Sequence, residues 1–175
     1  KGEEFLAGGV PEGTYEIKMG DPDVKKEGKD ITILTIGAVL YRALEAAKTL
    51  EEKYGISAEV INTRSIVPFD YTKVIESVKK TGKIVIVGVA VERGSIMKVM
   101  AANMSELAFD YLDAPAIALG SRNWITPAHE LETAFFPYPD TIIDCIHEKI
   151  MPIPGYVAKH NFSDVEKIER YKKGV

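Results

Sequence analysis

The 175-residue chain has one cysteine, one tryptophan and three histidines. A lone Cys145 excludes an internal disulfide, so a reducing, cytoplasmic setting is the expectation. Charge of either sign is not in excess. Twenty-two Lys+Arg against 26 Asp+Glu leave a net charge of −4. A weakly acidic surface offers neither nucleic acid nor an anionic membrane the basic face it needs. Long hydrophobic runs are missing as well. The longest, Ile84–Val91, is broken by Gly88, whereas a bilayer takes about 20 residues. No charged-then-apolar signal segment opens the chain, and a start at Lys1 without Met suggests an excerpt of a longer sequence.

What is present is ordinary globular material, 46% hydrophobic and 27% charged, in a length that fits one domain with tails. Residues 1–29 are rich in Gly, Pro, Glu and Lys and read as a leading segment or linker. It holds one strand-like piece, Thr14–Lys18, and a turn at Gly20-Asp21-Pro22-Asp23. The pattern changes at Asp30. Ile31–Ile36 is β-branched and nearly continuously apolar, as a strand covered on both faces should be. Leu40, Ala43, Leu44, Ala47 and Leu50 then recur at spacings of three and four, which predicts a helix ending at Gly55.

The strand–helix unit repeats. Ser57–Asn62 reads as a strand, followed by a turn at Pro68-Phe69-Asp70 and a short helix with Val74, Ile75 and Val78 inward. Lys83–Val89 is the most apolar strand and so is expected at the centre. After Gly94-Ser95 a helix is predicted with Ile96, Val99, Met100, Asn103, Leu107 and Tyr111 inward. Ala116–Leu119 is a short fourth strand. A loop with Trp124, a helical turn near Ala128–Ala134 and a last helix with Ile142, Ile143, Ile146 and Ile150 inward complete residues 30–155. Residues 156–175 read as a polar tail with a weak helical stretch near Asp164–Lys172. Alternating strands and helices imply a mostly parallel sheet with helices on both faces.

No self-sufficient active site emerges from the residues. Gly37 and Gly88…Gly94-Ser95 sit where strands meet helices, but neither has the GxGxxG or GxxxxGK[ST] spacing of a phosphate loop, and close backbone packing is the simpler reading. His129, His147 and His160 lack metal-ligand spacing, and His147-Glu148 reads as a solvated pair. Cys145 and His147, two apart on a helix, do not face each other, so a semi-buried thiol is expected. The carboxylate pairs Glu51-Glu52 and Glu130/Glu132 lie on exposed helical faces. Met97, Met100 and Met104 have core spacing. Arg64 follows the second strand at the edge where α/β sheets meet ligands, although a loop-anchoring ion pair or subunit contact explains it more simply.

The stretch from Gly37 through Ala43-Leu44, Ala46-Ala47, Leu50, Gly55-Ile56, Val60-Ile61 and Arg64 to Pro68-Phe69-Asp70 resembles the C-terminal domain of transketolase-like thiamine-diphosphate enzymes. Lys83–Val87 and Ala108-Phe-Asp-Tyr-Leu-Asp-Ala-Pro115 are similar to the beta subunit of the decarboxylating component of 2-oxoacid dehydrogenases. Pro127–Leu131, Phe135–Pro139 and Ile146–Ile150 resemble forms with alpha and beta parts fused. The resemblance covers roughly Tyr15–Pro154. One departure is the family's His-Glu-Ala after the third strand, where this chain reads Gly88-Val-Ala-Val-Glu-Arg-Gly-Ser95.

The resemblance implies an α/β fold: three layers, α/β/α, around a mostly parallel sheet of about five strands with one antiparallel edge strand. It implies a parent enzyme that uses thiamine diphosphate and Mg to decarboxylate a 2-oxoacid, pyruvate or branched-chain, and pass the acyl group to lipoamide. Neither cofactor is expected to bind this portion, since Gly20-Asp21 is the only Gly-Asp pair and lacks the family's second glycine. No catalytic or metal residue carries over. The implied role is subunit association, with Gly37, Arg64, Arg93, Gly94, Trp124 and Phe136 as candidates for an interface or channel wall. Expected partners are the remaining domains or subunits, a second copy, and a dihydrolipoyl acyltransferase core. The alternatives are a transketolase or deoxyxylulose-phosphate synthase parent, or a free-standing ligand-binding module.

Overall fold

A computed structural model describes residues 12–160. Its centre is a five-stranded sheet of β1 (Asp23–Lys26), β2 (Ile31–Ile36), β3 (Ala58–Asn62), β4 (Ile84–Val91) and β5 (Ile117–Ser121), in the order β1-β3-β2-β4-β5. β2, β3, β4 and β5 run parallel, and β1 pairs antiparallel with β3 at one edge. Among the described residues five α-helices accompany it: α1 (Val39–Tyr54), α2 (Thr72–Thr81), α3 (Ile96–Leu107), α4 (Glu132–Phe135) and α5 (Pro139–Lys149).

Strand periodicity sorts the core into two halves. Ile31, Ile33, Val60, Val85, Val87 and Leu119 face α1 and α5. Leu34, Ile61, Ile84, Ile86 and Ala118 face α2 and α3. Successive side chains alternate across a pleated strand, so a strand apolar at every position must be covered twice. Each fully buried aliphatic side chain contributes about 1.5–3 kcal/mol. The two threonines inside β2 are satisfied. Thr32 Oγ1 lies 2.6 Å from Ser77 Oγ and 2.8 Å from Thr81 Oγ1, and Thr35 Oγ1 donates to the Ile61 carbonyl at 3.0 Å.

Several expectations are corrected. Thr14–Lys18 forms no strand. The antiparallel edge is Asp23–Lys26, whose lysines protect it from further pairing. The middle position belongs to β2 rather than β4, because the chain leaves β2 to add β3 on one side and crosses back to add β4 on the other. In α3 the inward stripe is Met97, Met100, Ala101 and Met104, while Val99 and Leu107 are half-exposed. The methionine spacing carried the true phase. Cys145 is completely buried, not semi-buried. The stretch near Asp164–Lys172 lies outside the described residues. No helix among the described residues is long and apolar enough to cross a membrane.

Candidate functional site

The order of strand addition reverses at β2, with β3 on one side and β4 on the other. The carboxyl ends of β2 and β4 at such a switch point are the place where open α/β sheets receive ligands or partners. Gly37 stands at the end of β2 with φ +76°, a left-handed conformation that delivers the chain into α1. Beside it β4 ends in Val89, Ala90 and Val91, all exposed. Two backbone N–H groups then join its loop to the end of β5 and the loop that follows. Glu92 N donates to the Ser121 carbonyl at 3.1 Å, and Arg93 N donates to Asn123 Oδ1 at 3.0 Å. Gly94 is also left-handed, at φ +67°. Lys98 Nζ pairs with Glu92 Oε1 at 2.9 Å, and burial pulls the Arg122 guanidinium down while Glu92 opposes it.

The aromatic loop is less exposed than its composition suggests. Trp124 and Ile125 project into solvent, at 52% and 93% exposure. Phe135, however, is buried, and Phe136 packs edge-on against it at 4.8 Å. Tyr138 lies beneath the Arg42 guanidinium at 3.9 Å, and Arg42 donates to the Pro137 carbonyl at 2.8 Å. Arg93 and the Trp124 loop are thus joined through Asn123, with Gly37 at the same edge.

Arg64 stands at the same carboxyl edge, two residues beyond the Thr35–Asn62 register pair of β2 and β3, but its side chain turns toward β1. It follows β3 with φ +57° and pairs with Asp23 of β1 at 2.7 Å. Around it the Ser65–Lys73 stretch forms a clamp on the incoming chain. Ser65 Oγ accepts the Gly20 N–H at 3.0 Å and donates to the Pro68 carbonyl at 2.6 Å. Asp70 N donates to the Gly20 carbonyl at 2.9 Å, and Lys73 pairs with Asp21 at 2.7 Å. The Asp70 carboxylate accepts the Thr72 hydroxyl and N–H, bonds that hold it below the usual carboxylate range and cap the first turn of α2. Pro68-Phe69-Asp70 is therefore a joint between the leading segment and the sheet.

A third feature was not legible. Asp144 of α5 is fully buried and accepts four hydrogen bonds from the segment that turns back over the helix. Tyr156 Oη donates at 2.6 Å, Lys159 N and His160 N at 3.0 Å each, and His160 Nδ1 lies at 2.5 Å. Burial and the Asp144 carboxylate push the Tyr156 phenol up. The helical period puts Asp144 on the polar side of α5, and only the returning chain buries it. The signal was the turn at Pro152, Pro154 and Gly155 followed by a tyrosine. His147, expected to be solvated, instead accepts the Ile153 N–H on Nδ1 at 2.9 Å and packs against Tyr156. Beside this segment an open groove of about 740 Å³ runs between the first turns of α1 and the start of α5, lined by Tyr41, Arg42, Tyr138, Asp140 and His160. Cys145 faces the core. Burial and the nearby Glu92 charge push its thiol up to about 12, so it is no nucleophile.

Comparisons with known proteins agree with this architecture. Residues 20–142 match the family described as transketolase, C-terminal domain. The chain is 36% identical over 135 residues to the pyruvate dehydrogenase E1 component subunit beta of Bacillus subtilis strain 168, covering 77% of this chain and 41% of that protein. It is 38% identical over 139 residues to the acetoin:2,6-dichlorophenolindophenol oxidoreductase subunit beta of the same organism, covering 79% and 40%. Among solved structures, a split-gene transketolase described as an inactive β4 tetramer superposes with a TM-score of 0.65 at 30% identity, covering 79% of this chain and 45% of that one. The chain thus spans about two-fifths of the length of the curated relatives it matches. With the fold, the joint at Pro68-Phe69-Asp70 and the matched residues in agreement, this chain belongs to the transketolase C-terminal domain family.

Proposed function

We propose that this chain is the subunit-association portion of a thiamine-diphosphate-dependent 2-oxoacid dehydrogenase component, and that the bond-breaking chemistry belongs to other portions of the parent. The observation that carries this reading is coverage. Nearly four-fifths of the chain aligns with beta subunits, while more than half of each of those proteins has no counterpart here. The associating α/β unit in this reading takes in β1 together with residues 30–155, and residues 156–160 turn back over α5.

The donor set supports a supporting rather than a cofactor-holding role. The family motif that the resemblance implies for magnesium and pyrophosphate begins with a Gly-Asp pair, and magnesium needs that carboxylate free to ligate it. Gly20-Asp21 is the only Gly-Asp pair, and both residues are committed to the joint: Gly20 to Ser65 and Asp70, Asp21 to Lys73. These residues do not fit the group. What the chain's own residues do is position: Gly37, Arg93, Gly94 and Trp124 shape one edge that can wall a channel or meet a neighbouring subunit, with Phe136 packed behind. Arg64 holds β1 in register. A second copy and an acyltransferase core are the partners proposed for exposed apolar positions such as Phe109 and Ile125.

Titration calorimetry with thiamine diphosphate and magnesium on this chain tests the division of labour. No binding heat is expected, and a clear 1:1 isotherm would overturn it. A second reading is favoured by the similarity to the acetoin oxidoreductase beta subunit, in which the parent acts on acetoin instead. Assaying the whole parent with pyruvate, branched-chain 2-oxoacids, acetoin and sugar phosphates separates these parents.

A further inference from the structure

The segment 156–160 is attached to the domain in an unusual way. Ile153, just before it, is buried in the α1/α5 core. Gly155 then turns the chain with φ +75°, and Val157 beyond it is 83% exposed. Tyr156 packs edge-on against Tyr54 at 5.5 Å. Past that ring, hydrogen bonds and an ion pair from the segment converge on α5. The Asp144 carboxylate takes Tyr156, both backbone N–H groups at 159 and 160, and the His160 ring, while Lys159 Nζ reaches Asp140 at 3.6 Å.

We propose that residues 156–160 are a strap latched by the single carboxylate of Asp144, and that unlatching it removes one wall of the groove beside α1. Two observations join here. His160 lines that groove, so the strap is part of its wall, and among the described residues the side-chain partners of Asp144 all lie on the strap. A segment with little buried apolar surface opens locally, at a cost set by the few bonds that hold it. Removing the acceptor strands two backbone N–H groups and a phenol together, so opening is expected to be cooperative rather than a gradual fraying. The opposite wall does not depend on the strap, because Arg42 is fixed by the Pro137 carbonyl and the Tyr138 ring. The groove is therefore expected to widen on one side only.

Asp144→Ala, which removes both acceptor oxygens, tests this in the full chain, read by amide hydrogen exchange and by NMR. The amides of Lys159 and His160 are expected to exchange about tenfold faster or more, while amides of β2 and β4 keep their protection. Resonances of Ala38 and Tyr41, which line the groove, are expected to shift, and those of Met100 and Met104 on the far face to stay. Trypsin is expected to cut faster after Lys159. Tyr156→Phe, which leaves the carboxylate and three of its partners, is expected to give a smaller increase at the same two amides. Unchanged exchange at 159 and 160 in Asp144→Ala overturns the latch. So does loss of protection across the whole sheet, which would make Asp144 a general folding residue, and equal effects of the two variants would do the same.

Discussion

Two residues show how local chemistry fixes parts of this fold that no pattern announces. Gly82 ends α2 at φ +68°, and a Cβ there would meet Asp113 Oδ2 at 2.2 Å. Gly82→Ala is expected to lose about 1–2 kcal/mol from the backbone conformation alone. Relief of the clash by a second change, Asp113→Ala, should recover part of the remaining loss in urea unfolding. Asp113 also donates its N–H to the Gly82 carbonyl and pairs with Lys83, so the Phe-Asp-Tyr-Leu-Asp-Ala-Pro string is an internal joint. Glu59 is the second case. It is almost fully buried on β3, pairs with Lys80 of α2 and accepts the Gly28 N–H. Burial opposes its ionisation, but the Lys80, Ser77 and Gly28 bonds prevail and hold the carboxyl below its usual value of 4.5. The Glu59 bond in turn raises Lys80. Below the ordinary carboxylate range the unfolded chain binds a proton that the folded chain resists. This contribution is therefore complete above about pH 4.5 and fades as pH falls through the lower folded value. Urea midpoints measured from neutral pH down to acid should fall less steeply for Glu59→Gln than for the wild type. Lys80→Ala, which strands the carboxylate, is expected to cost about 2 kcal/mol near neutrality.

At the scale of elements, what could be read ahead depended on whether a segment's neighbours were local. α1 was plain because its apolar period and its glycine stop lie within the helix itself. The strands were plain because a sheet covered on both sides requires unbroken apolar runs. The phase of α3 was not, because Val99 and Leu107 are as apolar as Met97 and Met104, and hydropathy alone cannot choose between two stripes. Met104→Ala is expected to cost about 2–4 kcal/mol by opening a core cavity, whereas Val99→Ser, on the exposed stripe, should stay within about 0.5 kcal/mol. Equal losses in chemical denaturation would mean that the buried stripe is misassigned. β1 escaped notice because its pairing depends on the Ser65–Lys73 joint some forty residues away. Asp144 escaped for the same reason, since its burial is conferred by chain returning from beyond the helix. Of the candidate edge residues, Gly37, Arg93 and Gly94 were visible as loop chemistry after strands. The bonds between the β4 and β5 loops were not.

At the scale of the whole molecule, exposed apolar side chains fall in separate places: Val89, Val91, Trp124 and Ile125 at the carboxyl edge, and Val99, Leu107 and Phe109 along the outside of α3. An assembly that covers the first group should weaken when Ile125 becomes Asp. Sedimentation is expected to show a lower mass with an unchanged urea midpoint, and a mass unaffected by Ile125→Asp would remove that edge from the association surface. The thiol sealed beneath α5 has a practical consequence for all such work. Because Cys145 stays protonated and out of solvent contact, maleimide probes should ignore it while the domain is folded. A cysteine placed at Ile125 or Val157 can then carry a spin label or a fluorophore in the native background, and reaction at position 145 itself would report unfolding.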